Sequence, residues 1–102
     1  MIGVYKLLRV RKDGSIGPLF INRKQRIPIN KWLVAEDHPT KGYAHRKGWH
    51  CTAQPIAPHL SKKGRRWYQV LICDYVECVR PQSQGGLWFL AQQMKVVQKY
   101  EN

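Results

Sequence analysis

The sequence predicts an α+β domain: a small, mostly antiparallel sheet with one or two short helices, folded as a single unit over residues 1–102. Three observations lead there. Val4–Val10 and Trp67–Cys73 are rich in β-branched, aromatic and aliphatic residues, as strands are. Lys12-Asp13-Gly14-Ser15 carries the Asp-Gly signal of a hairpin turn. Leu87, Leu90, Ala91 and Met94 stand at helical spacing, which predicts a helix of two turns.

The elements follow in order. Val4, Lys6, Leu8 and Val10 alternate with Tyr5, Leu7 and Arg9, so the first strand is apolar on both faces and is expected to be central. After the turn, Pro18–Asn22 reads as a short partner strand and Asn22–Arg26 as an exposed basic loop. Trp32–Ala35 is a short apolar run, either a strand or a buried turn, and Glu36–Gly42 is a loop. Trp49–Thr52 reads as a strand. Pro55 is suited to opening a short helix that runs to Leu60, with Pro58 preventing anything longer. Ser61–Arg66 is a basic turn, and Tyr75–Val79 continues or pairs the strand before it. Pro81–Gly86 is a polar loop, and Lys95–Tyr100 a last strand.

Charge is the strongest signal of function. There are 18 Lys and Arg against 6 Asp and Glu, a formal net charge of +12. Residues 1–66 hold 15 basic and 3 acidic residues, whereas residues 67–102 hold 3 of each. A field so uneven attracts polyanions and speeds their association. The basic residues Lys41, Arg46, Lys47, Lys62, Lys63, Arg65 and Arg66 flank the stretch Gly48–Leu60, with Tyr43, Trp49 and Trp67 interleaved. Cations follow a phosphate backbone and aromatic faces stack on bases, so these seven are the expected phosphate contacts. Trp49 and Trp67 are also expected in the core, where large aromatics dominate a small domain.

Other chemistries fit less well. His45, His50, Cys51 and His59 are metal-capable, but adjacent His50 and Cys51 face apart on a strand, and the paired spacing of a zinc site is missing. The same geometry denies Cys51 its neighbour as a base, and a buried structural Cys51 is expected. No metal and no cofactor is expected. Cys51, Cys73 and Cys78 are odd in number and irregular in spacing, no apolar run is long enough for a signal peptide or a membrane span, and the chain reads as cytoplasmic.

The Tyr-x-Leu-x-Arg first strand, the Gly-Trp-His strand, the aromatic-x-Val strand and the terminal Met-Lys-Val-Val together resemble small phage-type domains with a Gly-aromatic-His motif. That arrangement also resembles a minimal ADP-ribosyltransferase-like fold. The resemblance implies a phage or mobile-element source and a cleft built from Arg9, His50, Thr52 and Gln84. Where that family carries a catalytic Glu, Gln82-Ser83-Gln84 has none, and a neutral amide cannot supply its charge. The expected function is therefore a basic binding module for nucleic acid or a host nucleoprotein complex, such as a defence machine. The alternatives are a transferase-fold enzyme acting on a nicotinamide dinucleotide, and a sponge that holds a nucleotide without cleaving it.

Overall fold

The computed structural model describes residues 1–18, 26–35 and 48–100. Six strands build one sheet: β1 (Ile2–Val10), β2 (Ile16–Gly17), β3 (Trp32–Val34), β4 (Trp49–Thr52), β5 (Arg65–Val79) and β6 (Leu87–Lys99). Every pairing between these strands is antiparallel. β1 pairs with both β4 and β5, and β6 pairs with the same two. The four strands thus close into a ring, and the short β2 and β3 hang from β1 and β6 at its margins.

The ring encloses the larger of two apolar clusters. Val4 and Leu8 enter it from β1, Trp49 and Cys51 from β4, Val70 and Ile72 from β5, and Phe89, Ala91, Met94 and Val96 from β6. A smaller cluster of Leu7, Ala57, Trp67 and Trp88 includes the alternate residues of β1 and β5. β1 is therefore apolar on both sides because both sides are covered.

The expectation of an α+β fold is overturned. Among the described residues the only helical element is a single 3₁₀ turn at Gln82–Gln84. The residues expected to form a two-turn helix, Leu87 to Met94, lie inside β6. The error has a specific cause. β6 buries Leu87, Phe89 and Ala91 against the core at strand spacing, then Met94 and Val96, skipping one position. β5 makes the same change of phase opposite it: Ile72 and Tyr75 both pack on the core, and between them Asp74 takes a left-handed φ of 49°. A skip of this kind bends a strand. It also puts Ala91 and Met94 three apart on one face, which imitates a helix.

The helix expected over Pro55–Leu60 is also not formed; that segment is two successive turns, closed by Ile56 N–H to Gln54 O and Leu60 N–H to Ala57 O. With Pro at 55 and 58 it has too few N–H donors for a helical ladder. The hairpin turn stands where the sequence placed it, with the Ser15 amide and hydroxyl donating to Asp13 and Arg26 reaching it from outside. These bonds hold the Asp13 carboxyl well below the usual carboxylate range. A strand at Ile16–Gly17 returns beside β1. Of the strand expected over Pro18–Asn22 only Pro18 is described; residues 19–25 and 36–42, with the loops expected there, lie outside the described residues. Trp32–Val34 is a strand at the sheet's margin, with Lys95 Nζ over the Trp32 ring at 5.3 Å.

Candidate nucleic-acid interface

Two remote parts of the chain bring their cations together. Arg9 stands directly opposite Arg65, and Leu8 opposite Arg66, where the end of β1 runs beside the start of β5. The basic turn before β5 is tied to the same place, because Val10 N–H donates to Gly64 O. Arg65 N–H bonds Lys62 O, and Lys63 N–H bonds Ser61 Oγ, so the turn holds its shape through its own backbone and Ser61. Lys62, Lys63 and Arg66 are exposed. Like charges facing each other across two strands oppose the pairing unless an anion sits near them.

Beside this edge lies a pocket of about 560 Å³ lined by Tyr5, Ala53, Gln54, Pro55, Ile56, Lys62, Arg66, Trp67 and Tyr100. Its volume is within the usual range for small-ligand sites. Among the described residues, three aromatic residues, two cations and no carboxylate line it. Tyr5 and Tyr100 meet edge to face, centroids 5.2 Å apart. Tyr100 is anchored by its N–H to Trp67 O. Trp67 is buried, as expected of a core residue.

The wall formed by residues 53–56 is positioned from behind by Gly85. This residue has φ of 96°, and a Cβ there would lie 2.7 Å from the Ile56 carbonyl oxygen. Gly85→Ala combines a left-handed backbone with a clash against main chain, and is expected to cost about 2 kcal/mol. Urea denaturation of the variant checks this, and a midpoint equal to wild type would show that the wall yields freely.

The other expected cleft is not assembled. Tyr5 is the partner of Thr52 across β1 and β4, so Arg9 lies four residues, roughly 13 Å, further along β1. Thr52 is buried and its hydroxyl bonds the Tyr5 and Gln54 carbonyls. His50 does face away from Cys51, and its Nδ1 accepts from Arg80 at 3.3 Å. That bond requires the ring proton on Nε2. Arg80 in turn stacks on Trp88 at 4.7 Å, and the Trp88 indole donates to Gln84 O. Arg9 thus joins the basic edge, while His50 and Gln84 are linked through Arg80 and Trp88. Lys41, Tyr43, His45, Arg46 and Lys47 lie outside the described residues. Among the described residues no three His, Cys, Asp or Glu side chains gather as a metal site would require. No helix among them is long and apolar enough to cross a membrane.

One charged group points into the ring. Lys6 shares the face of Val4 and Leu8, and its Nζ donates to His50 O at 2.6 Å. The ammonium bridges β1 to β4, which have one paired position, Tyr5 with Thr52. Burial lowers the Lys6 pKa, and burial also pushes the neighbouring Cys51 thiol up to about 11. The two groups act oppositely on stability. For Lys6 the unfolded chain binds the extra proton between the lowered value and 10.5, so stability rises with pH across that window. For Cys51 the folded chain keeps its proton, so stability falls from pH 9.0 to about 11. Urea midpoints measured over this range should rise and then fall. Lys6→Met should abolish the rise and Cys51→Ala the fall; a profile unchanged in both variants would show that neither group is responsible.

No family model matches the chain, and no curated protein or solved structure matches it. The pocket's Tyr5 and Tyr100 are functional candidates that sequence reasoning missed. Nearly the whole chain separates them, and no local pattern reveals that they meet. The one available signal is the alternation that turns Tyr5 away from the Val4 and Leu8 face.

Proposed function

We propose that this protein is a small basic module that binds nucleic acid, with its primary contacts to phosphates. The observation that carries this reading is the convergence of Arg9, Lys62, Lys63, Arg65 and Arg66 on one edge beside an aromatic pocket that, among the described residues, no carboxylate lines. Phosphate oxygens would relieve the opposition of Arg9 and Arg65, and the exposed turn can follow a backbone without rearranging. The three described acids do not dilute this edge by ion pairing. Asp13 pairs with Arg26, while Asp74 bonds Gln93 and Glu77 lies in the distal half of β5.

The test is a salt titration of oligonucleotide binding. Four to five phosphate contacts release their counterions on binding, so the logarithm of affinity should fall with the logarithm of salt at a slope of about −3 for a single strand. Affinity that does not change with salt, or no binding to any DNA or RNA, would sink the reading.

A further inference from the structure

We infer that the pocket beside the basic edge receives an unpaired nucleobase, with the attached phosphate on Lys62 and Arg66. This inference rests on the nucleic-acid reading and adds which form of nucleic acid is bound. A nucleotide presents a flat ring and an anion a short distance apart. The pocket presents the complement: the rings of Tyr5, Trp67 and Tyr100, the apolar surfaces of Pro55 and Ile56, and two cations. Ile56 is 52% exposed and lines the pocket, so a stacked base would cover its apolar surface. Gln54 adds an amide that can donate to or accept from a base edge, so pairing with one particular base is not demanded. A base within a duplex is stacked on both faces and paired at its edge, and cannot enter such a recess. Discrimination between single strand and duplex follows from the shape of the pocket, while the charged edge alone would bind both.

The experiment compares three labelled probes by fluorescence anisotropy at one salt concentration. These are a short oligothymidylate, a duplex of equal length, and a strand of the same backbone lacking its bases. Oligothymidylate should bind about tenfold more tightly than the base-free strand, the worth of one stacked base. Tyr5→Leu, which keeps apolar bulk in β1, should bring oligothymidylate down to the affinity of the base-free strand. An oligothymidylate carrying 4-thiothymidine should crosslink wild-type protein at Tyr5, Trp67 or Tyr100 on irradiation, which requires no variant to fold. Equal affinity for all three probes, with crosslinks elsewhere, would overturn the base pocket and leave the phosphate reading standing. Binding of none would overturn both. Where the strand crosslinks in the pocket, thymidine monophosphate is added as competitor: loss of the pocket crosslink assigns the pocket to free nucleotides as well, and its persistence assigns it to strands. Both results require the occupied pocket.

Discussion

Lys62, Lys63, Arg65 and Arg66 changed together to Glu should lose at least about a thousandfold in affinity for a single-stranded oligonucleotide at low salt. Each substitution removes a counterion-releasing contact and adds a repulsive one, so the deficit is largest at low salt and narrows as salt screens both. The fold should tolerate the change. The turn is held by the Lys62 carbonyl and the Ser61 hydroxyl, which the substitutions leave in place. Only Arg65 makes a structural side-chain bond within the turn, from Nη1 to Ser61 O. Reversing Lys62 and Lys63 alone spares that bond, and should give an intermediate loss with an unchanged melting temperature. Affinity equal to wild type in the fourfold variant would place nucleic-acid contact elsewhere, or nowhere.

Trp67→Ala should cost about 3–5 kcal/mol, a large part of the stability of a domain this size. Trp67 packs with Leu7, Ala57 and Trp88 in the smaller cluster, and it also lines the pocket. Its indole N–H is buried without an acceptor among the described residues. Such an orphan donor costs about 1–3 kcal/mol. Trp67→Phe discards that donor and keeps a ring, so it should cost much less, about 1 kcal/mol, its lost area partly offset by the removed penalty. Urea unfolding of the two variants separates packing from polarity. A loss below about 1 kcal/mol for Trp67→Ala would show that the ring contributes to the pocket and little to the core.

Strands β1 and β5, the Asp-Gly turn and the basic turn were legible because each is written locally. Alternation, turn chemistry and composition act over a few residues. β6 was misread for a reason equally local. Its phase change between Ala91 and Met94 is matched by β5 opposite it, around Asp74, and a single-strand pattern does not carry its partner's path. The cations of the turn were found from composition alone. That Arg9 belongs with them, rather than with His50 and Thr52, depends on the register of β1 against β5. Lys6 was assigned to the face of Val4 and Leu8, yet nothing in its neighbours announced that β4 would supply a carbonyl for its ammonium.

The closed ring has a cost in time. Ile2 lies opposite Ile72, so β1 leaves a ribosome well before its β5 partner has been made. At typical elongation rates of roughly 5–20 residues per second, β1 waits several seconds with Val4, Leu7 and Leu8 uncovered. Pairings this distant also fold slowly once the chain is complete, on the scale of milliseconds to seconds. During that interval Lys6, Arg9, Arg11 and Lys12 punctuate the apolar run. Charges so placed repel a second copy of the same strand. The cations along β1 and its turn thus guard the nascent strand against self-association until its partner strands arrive.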